Sequence, residues 1–150
     1  MTATAAAVFE SLQDSLREHL SDEPRVATVD DLEAALREFA IAIGITVTGS
    51  DDYANLFALT RGEYGGADPL AGHPLREAPE EALAERLAHF GDRGLLELDD
   101  ARLAADHFTA LTLLLLLNAY PDPARRDLAD VRRIVAAGTH AFVRAYGART

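Results

Sequence analysis

The sequence predicts an all-α fold, a single helical domain over residues 1–150 with about six helices. Three observations carry that expectation. Apolar residues recur at spacings of three and four through most of the chain, the period of an amphipathic helix. Clusters of glycine, proline and aspartate interrupt that pattern at helix-length intervals. Strand-like sequence is confined to the brief Leu95-Leu96-Glu97-Leu98.

The elements follow in order. Residues 4–20 place Val8, Phe9, Leu12, Leu16 and Leu20 on one face, and Ser21-Asp22-Glu23-Pro24 stops the helix. A second helix starts near Thr28, whose hydroxyl can cap free amides, with Asp30 and Asp31 in the favourable first turn. Its stripe is Leu32, Leu36, Phe39, Ile43 and Val47, widened by Ile41 and Ile45. The β-branched run at 41–48 continues this stripe, which favours helix over strand.

Gly49-Ser50-Asp51 ends that helix, and a third over 52–64 aligns Tyr53, Leu56, Phe57, Thr60 and Tyr64. The glycine- and proline-bearing stretch 65–74 is a loop. A fourth helix opens at Pro79-Glu80-Glu81, carries Leu83, Leu87 and Phe90 inward, and ends within 91–94. The fifth opens at Asp99-Asp100 and holds the run Leu113 to Leu117, apolar on every side. Pro121-Asp122-Pro123 breaks it, since proline lacks the amide donor and clashes with the preceding turn. A sixth sets Leu128, Val131, Val135, Gly138 and Phe142 on one seam and closes near Gly147.

Composition limits the function. A hydrophobic fraction of 49% is enough for a packed core. No cysteine is present, so disulfides, thiolate metal sites and cysteine nucleophiles are excluded together, and the cytoplasm is the expected compartment. The net charge is −11, every basic residue is arginine, and the pairs Arg125-Arg126 and Arg132-Arg133 sit among aspartates. A polyanion needs a positive surface, so this chain alone should bind no nucleic acid. Residues 1–20 carry Glu10, Asp14, Arg17 and Glu18 where a signal peptide needs an apolar core. The apolar run at 108–117 is about half the ~20 residues that cross a bilayer, so no membrane partner is expected.

Catalytic signatures are missing. His19, His73, His89, His107 and His140 are scattered over the chain and form no His-Glu-x-x-His or Glu-x-x-His set. Gly62, Gly65 and Gly66 lack the Gly-Lys-Ser/Thr ending of a phosphate loop, and no serine sits in a Gly-x-Ser-x-Gly elbow. The paired acids Asp51-Asp52, Glu80-Glu81 and Asp99-Asp100 lie at helix starts, where capping accounts for them. No enzyme activity, cofactor or metal is expected.

What remains is apolar and aromatic. The inward stripes can form a solid core, or can surround a cavity holding a small apolar molecule. In the second case the lining candidates are Phe9, Phe39, Ile43, Phe57, Thr60, Tyr64, Leu87, Phe90, Phe108, Leu111, Thr112 and Leu115. A hydroxyl at Thr112, inside a leucine run, needs a partner, and the carbonyl one turn back can serve.

The stretch Gly94-Leu95-Leu96-Glu97-Leu98-Asp99-Asp100-Ala101-Arg102-Leu103-Ala104-Ala105-Asp106-His107-Phe108 resembles the approach to the penultimate helix of TetR-family regulators. The closing Phe142-Val143-Arg144-Ala145-Tyr146-Gly147 is similar to that family's usual ending, and the order of helices fits its C-terminal half. The resemblance implies a homodimer in which the last two helices of each subunit form a four-helix bundle, with an effector pocket between the middle helices. Interface candidates are His107, Leu114, Asn118, Val131, Val135, Gly138, Ala141 and Phe142; small Gly138 and Ala141 permit close helix approach. A two-fold interface is self-complementary, so one apolar patch suffices. No part of the chain resembles the helix-turn-helix that reads DNA in such regulators. The expectation is therefore the effector-binding and dimerisation part alone, whether trimmed or naturally truncated. The alternative is a ligand-free interaction protein that pairs with an intact regulator.

Overall fold

A computed structural model describes residues 5–20, 26–48, 78–120, 125 and 127–149. Side chains are described from Glu10 onward, apart from those at 11, 46–48 and 78–79. The described elements are α1 (Ala5–His19), α2 (Val29–Thr48), α3 (Ala78–Asp92), α4 (Ala101–Thr109), a π-helical turn (Ala110–Leu114), α5 (Leu115–Ala119) and α6 (Leu128–Tyr146). The last four belong to the terminal hairpin, in which α4, the π turn and α5 run on as one rod and α6 returns. Among the described residues there is no strand, only an isolated antiparallel bridge between Leu96 and Gly147. The all-α expectation holds. The expected third helix and the loop after it lie outside the described residues.

Local chemistry starts each helix as the sequence requires. Thr28 caps α2: its Oγ1 accepts from Asp31 N at 3.1 Å, and Asp31 Oδ2 accepts in return from the amides of Thr28 and Ala27, each at 3.1 Å. These bonds, that from Ala27 first, hold the Asp31 carboxyl below the usual aspartate range. Asp100 caps α4 by accepting from Leu103 N, and Asp127 caps α6 by accepting from Asp130 N. The end of α3 is a left-handed turn. Gly94 has φ of 79°, its amide bonds the Gly91 carbonyl, and Leu95 N bonds the Phe90 carbonyl. Only glycine takes that conformation without strain.

Burial follows the expected stripes on the first helices. Leu12, Leu16 and Leu20 are buried, as are Leu32, Leu36, Phe39 and Ile43 of α2 and Leu83, Leu87 and Phe90 of α3. Ile41 is buried too, whereas Ile45 is exposed. Arg86 of α3 and Arg93 in the turn after it hold the flanks of the α1–α2 connection. Arg86 Nε donates to the Leu20 carbonyl at 2.8 Å, Arg93 Nη2 donates to the Val26 carbonyl at 2.5 Å, and both guanidiniums lie over the Phe90 ring. The far end is fastened by Glu97 N to the Tyr146 carbonyl at 2.8 Å and Ala148 N to the Leu95 carbonyl at 3.0 Å. Among the described residues no helix is long and apolar enough to cross a membrane.

Candidate functional site

The π turn decides what the terminal hairpin presents. Inward residues of its first rod are Ala104, Phe108, Thr112 and Leu116, with Ala105, Leu113 and Leu117 beside them, so the buried column steps by four. In a regular α-helix, four residues overshoot a full turn by about 40°, and three such steps would swing the column by about 120°. The wider π turn, with its i→i+5 bonding, absorbs that drift and keeps the column facing the core. Fully buried Thr112 completes the turn by donating its hydroxyl to the Phe108 carbonyl at 2.7 Å. The one-turn-back partner expected for this hydroxyl is the one it has.

Opposite this column, α6 lacks a side chain where it is needed. A Cβ on Gly138 would lie 1.8 Å from the Leu111 oxygen and 3.3 Å from Thr112 Cγ2. The two rods therefore touch backbone to side-chain-free backbone inside one chain. Val131, Val135 and Phe142 lie on the same inward side, each with 1% exposure or less.

On the inner side of the rod lies a small apolar cavity of about 20 Å³, room for roughly one water. Its walls include Leu12 of α1, Phe39 and Ile43 of α2, Glu80 and Leu83 of α3, and Phe108, Thr112 and Leu113 of the rod. Phe39 and Phe108 stack with centroids 6.3 Å apart and planes 22° apart. From Phe108 the rings continue edge-on to Phe142 at 5.2 Å and then to Tyr146 at 4.9 Å, whose hydroxyl is hydrogen-bonded to His107 Nδ1 at 2.5 Å. An aromatic series thus links the cavity to the protein surface.

On the outer side, an open groove of about 440 Å³ runs between the two rods of the hairpin. Leu111, Leu115, Ala119 and Tyr120 form one bank, and Ile134, Ala137 and Ala141 with Arg133 form the other, with Gly138 at the floor. Leu115 is 48% exposed in the middle of the leucine run. Among the described residues no group of His, Asp or Glu side chains could hold a metal ion.

Residues 35–148 match the AefR-like transcriptional repressor C-terminal domain, which takes in the cavity walls from α2 onward and the whole hairpin. The chain belongs to the TetR family, as an AefR-like C-terminal domain. The fold agrees with a crystal structure of a candidate TetR-family transcriptional regulator from Mesorhizobium loti MAFF303099. That likeness has a TM-score of 0.54 at 19% identity and covers 95% of this chain and 73% of the other. No curated protein matches the chain.

The structure distributes the expected site residues among several places. Phe39, Ile43, Phe108 and Thr112 meet at the cavity. Leu87 and Phe90 are fully buried in the core but do not line it. Phe57, Thr60, Tyr64 and the side chain of Phe9 lie outside the described residues. The expectations for the hairpin change places. Leu111 and Leu115, expected at the pocket, bank the outer groove. Val131, Val135 and Phe142, expected at the interface, fill the chain's own core, and Gly138 is buried against Leu111. Ala141 is on the groove, Asn118 and His107 are exposed, and Leu114 is half-buried against the core. The physical reason is the π turn. A constant α-helical period puts Leu115 about 20° and Leu116 about 80° from Phe108, whereas the wide turn brings Leu116 into line with Phe108 and leaves Leu115 outside.

Residues missed in the sequence have simple origins. Ile134 and Ala137 stand three apart, each one position before a member of the Val131–Val135–Gly138 seam, a weak apolar stripe masked by the stronger one. Glu80 reads as a helix-start acid, and nothing in its spacing reveals that it also edges a cavity.

Proposed function

We propose that this chain is the effector-binding and dimerisation part of a TetR-like transcriptional regulator, located in the cytoplasm. The single observation that carries the dimer is the outer groove, where half-exposed Leu115 lies within a continuous apolar face formed by both rods of the hairpin. A two-fold partner would present the same face, and apolar area removed from water would hold the pair. The effector site is the cavity of Phe39, Ile43, Phe108 and Thr112. An effector binding there would shift the population of arrangements of α1, which supplies Leu12 to the wall. In a longer regulator that helix would carry the DNA reader; this chain by itself binds no nucleic acid.

Sedimentation equilibrium tests the dimer: a monomer at micromolar concentration would falsify it. Leu115→Arg together with Ala141→Glu should give a folded monomer.

The narrowness of the cavity, about 20 Å³, favours a second reading. In it the chain is an interaction protein that takes no ligand and pairs with an intact regulator. Thermal-shift screening of small apolar molecules separates the two, because a ligand that binds only the folded state raises its melting temperature.

A further inference from the structure

The π turn stands between the two spaces of the hairpin. Of its five residues, Thr112 and Leu113 line the inner cavity, and Leu111 banks the outer groove beside Leu115. One turn is therefore a wall of both. Its side chains do not hold it to one winding. Rewound as α-helix with α4 in place, the rod beyond it rotates by about a quarter turn, and each later residue takes the place of the next. Leu115 then occupies the inward place of Leu116, and Leu116 that of buried Leu117. The core exchanges leucine for leucine, because 113–117 is leucine throughout. The cost falls on Leu117, which moves from burial to the exposed place of Asn118 and keeps the rewound form the minor one.

We propose that the π turn is a register switch tying occupancy of the cavity to the shape of the outer groove. An α turn is slimmer than a π turn, so an occupant needing more than the 20 Å³ now open gains room when the turn rewinds. On the groove, Leu114 then replaces Leu115, Asn118 replaces Ala119 and Ala119 replaces Tyr120. The bank loses an aromatic ring and gains an amide, and Tyr120 leaves Arg133, whose Nη2 lies 3.3 Å from its hydroxyl. Filling the cavity thus shrinks the apolar face outside. The proposal rests on the effector-binding reading and supplies its regulation. A ligand favours the winding that fits it, by the difference between its affinities for the two.

The chain has no cysteine, so single thiols report the register directly. Leu115→Cys, Leu116→Cys and Leu117→Cys are labelled with a maleimide, in solution dilute enough to be monomeric by sedimentation. Each is measured alone and with the cavity filled from α2 by Ala40→Leu, or by the milder Ala40→Val should the larger side chain prevent folding. Filling should speed labelling at Leu117→Cys about tenfold and slow it at Leu115→Cys. Leu116→Cys, inward in both windings, should stay protected. Deleting Leu114 makes the rod α-helical without moving its columns, so in that chain filling should change none of the three rates. A rise at Leu116→Cys equal to that at Leu117→Cys means that the end of the rod frays, and it overturns the switch. So does unchanged labelling on filling, and so does a response that survives the deletion. The effector site is judged apart from these results, by the melting experiments with small apolar molecules.

Discussion

Gly138 abuts the carbonyl of Leu111 so closely that a methyl group in place of its hydrogen would lie 1.8 Å from the oxygen. The obstacle is backbone in a π turn, which cannot swing aside as a side chain can. Gly138→Ala should cost about 3 kcal/mol or more, despite the better helix propensity of alanine. At about 2–4 °C per kcal/mol for a chain of this size, the melting temperature should fall by roughly 10 °C. Gly44 gives the contrast, since its added Cβ would meet the Val131 Cγ1 methyl at 2.9 Å. Buried Val131 must shift slightly to admit it, but a side chain gives more readily than backbone and helix propensity returns up to about 1 kcal/mol, so Gly44→Ala should cost less than Gly138→Ala. Thermal denaturation followed by circular dichroism checks the order of the two.

Thr112 holds the π turn by one side-chain bond. Thr112→Val keeps the volume and removes the donor to the Phe108 carbonyl, at a cost of about 1–2 kcal/mol. Urea unfolding measures it. No loss would show that the backbone satisfies this carbonyl without the hydroxyl.

The two sides of the hairpin should respond differently to charge. Val135 is fully buried, so Val135→Asp should unfold the chain. Leu115→Arg on the outer groove should leave the helical signal intact and change only the oligomeric state. Far-ultraviolet dichroism and light scattering on both variants give the two readouts. Equal loss of structure would place Leu115 inside.

Asp31 makes the start of α2 acid-sensitive. Its carboxyl is held below its unfolded value by the amides of Ala27 and Thr28 and by Thr28's side chain, so its ionised form stabilises the fold. That contribution is complete above the unfolded pKa of about 3.9 and is lost as pH falls through the lower folded value. Asp31→Asn should thus melt below the native chain at neutral pH, and the gap should close under acid conditions. Thr28→Ala, which removes the reciprocal cap and one of the bonds that hold the Asp31 carboxyl down, should cost about 1 kcal/mol at neutral pH and less under acid conditions.

The helices and most of the inward faces were legible in the sequence because they depend on a local period and on caps. Thr28, Asp100 and Gly94 each do the job their residue type favours. So were Phe39, Ile43, Phe108 and Thr112 as neighbours across three segments, since each is the inward member of its own turn. The outer and inner sides of the hairpin were not. Leucines fill both sides from Leu111 to Leu117, so composition carries no phase, and a single π turn, invisible in residue type, sets which column is buried. Glu80 escaped notice because capping already accounts for it.

The bridge between Leu96 and Gly147 fixes how much of the carboxyl end the protein can lose. Ala148 still lends its amide to Leu95, whereas Arg149 is exposed. Trimming that stops at Arg149 leaves the clasp whole. Cutting one residue deeper frees the Leu95 carbonyl, and stepwise shortening should show a sharp threshold there, not a gradual decline.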